Sequence, residues 1–84
     1  MNNRHRETLN AIFRNPVSRT LEWRRIESLF VYLGAKVVEG RGSRVRFELN
    51  GVVATFHRPH PQSEAKPYQV RAARIFLQQT GIMQ

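Results

Sequence analysis

Residues 44–57 have the sequence RVRFELNGVVATFH, and this stretch decides the fold. Hydrophobic and polar residues alternate on both sides of Asn50-Gly51, a dipeptide that strongly favours a two-residue type I′ hairpin turn. The turn fixes the register, so that Leu49 faces Val52, and a slip of one residue would expose the hydrophobic face. We therefore predict antiparallel strands at 44–49 and 52–57. The hydrophobic face holds Val45, Phe47, Leu49, Val52, Ala54 and Phe56, and the open face holds Arg44, Arg46, Thr55 and His57.

Upstream of the hairpin, the hydrophobic spacing predicts another strand and a helix. Residues 36–39 form the short strand, and the turn GRGS at 40–43 joins it to the hairpin. Over residues 21–33 the hydrophobic positions recur every three or four residues, as in a helix with one buried face. Thr20 is placed to cap the start of this helix and Gly34 to end it. The predicted buried face is Trp23, Ile26, Leu29, Phe30 and Leu33, opposite Arg24, Arg25, Ser28 and Tyr32.

Two further helices flank this region. A short helix over residues 6–13 ends at Asn15-Pro16, since the residue before proline avoids helical geometry, and His5 precedes it in a frayed terminus. A loop over 58–66 leads to a last helix at 68–80, with Pro67 at its start and Gly81 after its end. Its predicted buried side holds Val70, Ala73, Ile75, Phe76 and Leu77. The order α-α-β-β-β-α predicts an α+β two-layer sandwich with a three-stranded antiparallel sheet.

Composition limits the classes of function. The 84 residues suffice for one domain, and 14 Lys and Arg against 6 acidic residues give a net charge of +8. Twelve of the cations are arginine, whose planar guanidinium suits phosphate, so the expected partner is an anion. The absence of cysteine excludes disulfides and thiolate sites. No apolar run approaches the ~20 residues of a membrane span, so we expect a soluble cytoplasmic protein with no membrane partner.

The open face of the hairpin carries the first candidate site. Arg44 and Arg46, with Arg41 in the preceding turn and Arg58 just beyond the last strand, form a basic strip suited to phosphates. The alternative is that these arginines only keep an exposed strand soluble. The core aromatics are spaced as packing residues, whereas Tyr68 could stack on a base or donate a hydrogen bond.

Two histidines lie beside the basic strip. His57 ends the last strand and His60 lies in the proline-rich loop, and imidazole is the usual proton donor and acceptor near neutral pH. RNA cleavage without a metal needs a proton acceptor, a proton donor and positive charge, all of which this set supplies. The alternative is that both are ordinary surface residues. A chain without aspartate offers a poor metal-ligand set, and no motif calls for a cofactor.

The combination of motifs resembles the HicA toxins of bacterial type II toxin–antitoxin pairs. The resemblance covers about residues 20–82 and is most specific at EGRGS (39–43) and PHP (59–61), whereas residues 1–19 look like an N-terminal extension with a short helix before a 20–84 domain. It implies a fold like double-stranded-RNA-binding domains. It also implies metal-independent endoribonuclease action on messenger RNA, arrest of translation, and neutralisation by a cognate HicB-like antitoxin.

One position departs from the family motif. The family has Gly-Ser-His with a catalytic histidine, and here the third position is Arg44. The hairpin register puts His57 directly opposite Arg44 on the same face, so the imidazole could act from the neighbouring strand. The predicted catalytic residues are thus His57 and His60, and the predicted RNA contacts are Arg41, Ser43, Arg44, Arg46, Arg58, Lys66 and Tyr68. Two alternatives stay open: a non-catalytic RNA- or DNA-binding module of this fold, and a domain whose basic face meets an acidic protein.

Overall fold

A computed structural model describes residues 1–83 as three helices and one three-stranded sheet. The elements follow the predicted order α-α-β-β-β-α, which confirms the α+β fold class. Their bounds are α1 Asn3–Phe13, α2 Trp23–Tyr32, β1 Lys36–Glu39, β2 Arg44–Leu49, β3 Val52–His57 and α3 Pro67–Gln79.

The sheet matches the prediction residue by residue. It is antiparallel in the order β1-β2-β3, and β2 pairs with β3 from Leu49–Val52 at the turn to Arg44–His57 at the far end. Asn50 and Gly51 adopt φ values of 51° and 78°, as a type I′ turn requires. Because the turn is this short, the alternation of side chains alone decides which face each strand residue takes.

The core lies between the sheet and the helices and centres on Phe30 of α2, which is fully buried. Its ring lies 5.0 Å from those of Phe47 on β2 and Phe76 on α3, both in edge-to-face geometry. The ring of Phe56 on β3 is 6.1 Å away. One aromatic cluster therefore joins α2, α3 and the inner face of the sheet, and the opposite face stays open.

The N-terminal segment packs onto the same core. Leu9 and Ile12 of α1 are buried with the core residues of α2 and α3. Arg74 of α3 donates from Nε to the Ile12 carbonyl (2.9 Å) and from Nη2 to the Arg14 carbonyl (2.8 Å). These bonds satisfy carbonyl groups that the end of a helix leaves without partners.

The first two helices begin at other positions than predicted. The side chain of Asn2 accepts a hydrogen bond from the His5 amide (2.8 Å), so α1 starts at Asn3, and His5 is buried and stacked on Tyr32 rather than frayed. Thr20 does not cap α2. The chain before α2 is extended, because Leu21 accepts a bond from the Ala65 amide (2.8 Å), and the helix starts only after this bridge.

One predicted core residue lies on the surface. Ile75 of α3 is 53% exposed. On a helix it shares a face with residues three or four positions away, which include the exposed Arg71, Gln78 and Gln79. The buried stripe of Ala73 and Phe76 lies on another side of the helix. Within residues 1–83, no helix combines the length and the apolar composition that crossing a bilayer requires.

Candidate functional site

The open face of the sheet contains a shallow depression of about 460 Å³. Residues from all three strands line it, so its position follows from the strand register. The lining residues are Val38, Glu39, Gly40, Arg44, Arg46, Thr55 and His57. We call this feature the sheet-face depression.

Arg44 and His57 face each other across β2 and β3 in this depression. Directly opposed residues of an antiparallel pair have Cβ atoms about 4.5–5.5 Å apart, so both side chains can contact one small group. Both are exposed, and neither side chain makes a hydrogen bond or ion pair within residues 1–83. A positive charge and a proton acceptor are therefore held together and left available.

Arg46 is the second cation of the depression, and it lies opposite Thr55. Its guanidinium pairs with Glu48 on the same strand, with Nη2 3.0 Å from the carboxylate. Both side chains are partly exposed, and such surface pairs contribute only about 0–1 kcal/mol. An incoming phosphate can therefore compete with Glu48 for Arg46.

The backbone beneath His57 is fixed from two sides. The buried side chain of Gln69 on α3 donates from Nε2 to the His57 carbonyl at 2.7 Å. The amide of the next residue, Arg58, donates to the Ser43 carbonyl at 2.8 Å and so continues the ladder beyond β3. The position of the imidazole is thus set by α3 and by the turn before β2.

The turn between β1 and β2 places Arg41 and Ser43 at the rim of the depression, and both are exposed. The Gly40 amide donates to the Arg44 carbonyl at 2.9 Å, and the Arg44 amide donates to the Arg41 carbonyl at 3.1 Å. A Cβ at residue 40 would lie 3.0 Å from the Arg44 Cβ and 3.1 Å from its carbonyl oxygen. The turn therefore brings its backbone close to Arg44 in a way that glycine permits.

Arg58 does not join the open face, which corrects the sequence prediction. It follows His57 and shares the inward side of Phe56, where its guanidinium meets two carboxylates. Nε and Nη2 bond to Glu27 at 2.9 and 3.0 Å, and Nη1 and Nη2 bond to Glu39 at 2.7 and 2.9 Å. Arg58 is therefore a clamp between α2 and β1 and is not a free cation for phosphate.

The clamp has electrostatic consequences for its members. The hydrogen bond from Arg58 is the main cause that lowers the pKa of Glu39, and the Arg58 charge adds to it. The carboxylates of Glu39 and Glu27 in turn raise the pKa of Arg58. The indole N–H of Trp23 also donates to Glu27, at 2.6 Å. These side chains thus form a charged network that borders the sheet-face depression at Glu39.

The sequence contains a signal for this clamp that residue-type reasoning missed. Side chains alternate between the two faces of a strand, so residue 58 lies on the same face as residue 56, and residue 39 on the same face as residue 37. Arg58 and Glu39 therefore both turn toward the helices. An arginine and a glutamate extending a hydrophobic face predict an ion pair at the end of the sheet.

The remaining predicted residues lie outside the sheet-face depression. His60 is exposed in the loop after β3. Lys66 immediately precedes α3, where its amide donates to the Gln69 side chain at 2.9 Å, and Tyr68 is 58% exposed on the first turn of that helix. The structure therefore gathers Arg44, Arg46 and His57, with Arg41 and Ser43 at the rim, and leaves these three apart. In residues 1–83, no three His, Cys, Asp or Glu side chains group as metal ligands.

Comparison with known families gives a match over most of the chain. A family model described as the HicA toxin of bacterial toxin–antitoxin systems matches residues 23–82, which include α2, the whole sheet and α3 but not α1. Neither the search of curated proteins nor the search of solved structures found a match.

Proposed function

The chain belongs to the HicA toxin family of bacterial toxin–antitoxin systems, and from this premise we propose that it acts by cleaving messenger RNA on the open face of its sheet. Membership gives the toxin role and implies a cognate antitoxin. The observation that carries the ribonuclease proposal is the placement of His57 directly opposite Arg44, with both side chains exposed and without hydrogen bonds or ion pairs in residues 1–83.

The proposed reaction is transesterification at phosphorus. The imidazole of His57 accepts the proton of an RNA 2′-hydroxyl, and the 2′-oxygen forms a bond to the adjacent phosphorus. The bond from phosphorus to the 5′-oxygen breaks, and that oxygen leaves with a proton. The products are a 2′,3′-cyclic phosphate and a 5′-hydroxyl, so every atom is accounted for without hydrolysis in this step.

Arg44 supplies the positive charge in this scheme. A guanidinium offers paired N–H donors that match two phosphate oxygens, and these bonds strengthen as charge builds on the phosphorane. Arg46 contributes a second cation once phosphate displaces Glu48. Arg41 and Ser43, at the rim, are proposed to contact the neighbouring phosphate or sugar. Lys66 and Tyr68 remain predicted contacts for the flanking strand.

His60 has a weaker structural basis than His57. It does not line the depression, so the departing 5′-oxygen is proposed to take its proton from solvent at this exposed site. The prediction that His60 is a second acid or base is tested by comparing the two histidine variants.

The antitoxin is proposed to neutralise the toxin by covering this same face. A chain of net charge +8 with an unpaired Arg44 on an open sheet favours a partner that presents carboxylates, as expected of a HicB-like antitoxin. An acidic partner over the depression would occupy Arg44 and Arg46 and exclude RNA.

A second candidate function rests on one observation. Arg44 stands where the family motif has its histidine, so the substitution could leave a fold that binds RNA or DNA without cutting it. In that case His57 is an ordinary exposed strand residue, and its replacement changes neither affinity nor any reaction.

The test is cleavage of a mixed-sequence messenger RNA by the purified protein in excess chelator. We expect cleavage by the wild-type protein and its loss in His57→Ala, with RNA affinity nearly unchanged. His60→Ala removes an exposed imidazole outside the depression, so its activity shows whether a second histidine takes part. Absence of cleavage by folded wild-type protein that still binds RNA would establish the binding module instead. Equal loss of activity in both variants would show that His60 takes part.

A further inference from the structure

The helical side of the molecule carries a second concentration of arginine. Asn15, Pro16, Val17, Arg19, Arg71 and Arg74 line a depression of about 290 Å³ between the loop after α1 and the outer surface of α3. Arg14 adjoins it and is exposed. We call Arg14, Arg19, Arg71 and Arg74 the helix-side patch.

No carboxylate neutralises this patch within residues 1–83. The printed sequence has six glutamates. Five form ion pairs with arginines that lie elsewhere, namely Arg24, Arg25, Arg46 and Arg58. The sixth, Glu64, accepts a hydrogen bond from Ser63. Three positive charges therefore line one concave surface, with Arg14 next to it in the chain, and a cleft lined by one sign of charge concentrates the field that attracts an anion.

Arg74 is the member of the helix-side patch whose guanidinium is held in place by hydrogen bonds. Its Nε and Nη2 donate to carbonyl groups at the end of α1, so the guanidinium is held in place while its charge is not cancelled by any acid. Arg19 and Arg71 are exposed and make no hydrogen bond or ion pair within the described chain. A held cation beside two available ones is suited to a phosphate, which accepts bonds from several guanidinium groups.

The patch lies apart from the sheet-face depression. Val70 and Phe76 of α3 point into the core toward the sheet, whereas Arg71 and Arg74 lie on sides of α3 that face solvent and α1. The helical layer thus separates the two basic surfaces. Half of the patch, Arg14 and Arg19, also lies outside the segment that matches the family.

From these observations we propose that the helix-side patch is a second, sequence-independent binding site for the phosphate groups of RNA, outside the site of cleavage. An RNA backbone fits better than an acidic protein, because protein interfaces are built around large apolar anchors. Among residues 1–83, no large exposed hydrophobic side chain lines this depression; Tyr68 and Ile75 lie beside Arg71 on the surface of α3, outside the depression. The choice of RNA over other phosphate polymers rests on the proposed function.

The test measures how binding of a 2′-O-methyl RNA depends on salt concentration, by fluorescence anisotropy. This probe lacks the free 2′-hydroxyl, so it cannot undergo the proposed transesterification while binding is measured. The test variant is Arg19→Gln with Arg71→Gln. The control is Arg4→Gln with Arg6→Gln, which removes the same charge from exposed side chains at the opposite end of α1. Arg74 is kept because it bonds to α1.

We expect weaker binding and a flatter salt dependence in the test variant only. Loss of two phosphate contacts to a single strand lowers the slope of log K against log salt by roughly 1.4. An equal change in the control would show a mere effect of net charge, and no change in either would show a solvated surface; each result overturns the proposal. So would loss of polyglutamate binding in the test variant with RNA binding intact, which would assign the patch to an acidic protein.

The two proposals fail separately. If messenger RNA is not cut, the salt dependence with the uncleavable probe still decides the helix-side patch. If the slope does not change, the cleavage by wild-type protein and its loss in His57→Ala are unaffected.

Discussion

Replacing Arg58 with alanine tests whether the clamp stabilises the fold. The substitution leaves Glu27, whose side chain is only 22% exposed, without its two bonds from the guanidinium. Breaking a fully buried pair costs about 3–5 kcal/mol and breaking an exposed one about 0–1 kcal/mol. Arg58 is 32% exposed, so we expect a loss of about 2 kcal/mol, between these limits. This figure covers the contact with Glu27 alone; the exposed pair with Glu39 adds a further part that depends on pH.

The assay is unfolding by urea and by heat, followed by circular dichroism at neutral pH. For a domain of this size, a loss of about 2 kcal/mol lowers the Tm by roughly 8–16 °C. Arg46→Ala is the matched control, because it breaks a surface pair on the same sheet and should cost at most about 1 kcal/mol. Equal stability of the two variants would refute the assignment of Arg58 to a structural clamp.

Three further predictions concern Glu39, Gly40 and Ile75. Because the folded pKa of Glu39 is lowered, its pairing stabilises the fold above the ordinary value of 4.5 and is lost as pH falls through the folded value. In urea unfolding measured from pH 7 down to pH 3, the loss of unfolding free energy caused by Arg58→Ala should therefore become smaller as the pH falls. Gly40→Ala forces its Cβ against Arg44, and we expect about 1–3 kcal/mol of destabilisation and shifted amide NMR signals around residue 44. Ile75→Gln should change the free energy of unfolding by less than about 0.5 kcal/mol, since Ile75 is mostly exposed. The first prediction is contradicted if the destabilisation by Arg58→Ala is the same at every pH. The second is contradicted if the NMR spectrum of Gly40→Ala is unchanged around residue 44, and the third if Ile75→Gln greatly lowers the free energy of unfolding.

The strands could be predicted to the residue because local rules decide them. Asn50-Gly51 fixes the turn, the turn fixes the register, and the register fixes which side chains share a face. The juxtaposition of Arg44 and His57 follows from that chain of reasoning, and the structure has it in the same register. The sequence alone therefore predicts the pairing of Arg44 with His57, the two central residues of the candidate site.

The errors arise where distant segments meet. Thr20 is a good cap by type, but the bond between Leu21 and Ala65 holds the chain extended there and delays the helix. His5 is buried because Tyr32, a residue 27 positions away, stacks on its ring. No local pattern contains either partner.

Two further errors come from residue type outweighing geometry. The residue type of Arg58, an arginine beside a basic strip, predicts a phosphate contact, whereas the alternation of the strand directs its side chain to Glu27 and Glu39. The apolar side chain of Ile75 predicts a core position, whereas its place on the helix puts it on the exposed side. In both cases the periodicity of the element is the better guide.

The proposed mechanism requires His57 to activate an RNA 2′-hydroxyl beside Arg44. Its most direct test is the chemistry of the ends that the purified protein leaves on a short RNA cut in excess chelator. We predict 2′,3′-cyclic phosphate and 5′-hydroxyl ends, and no cutting when the nucleotide before the cleaved bond lacks its 2′-hydroxyl. Ends bearing 5′-phosphate and 3′-hydroxyl, or undiminished cutting of the 2′-deoxy substrate, would contradict the account.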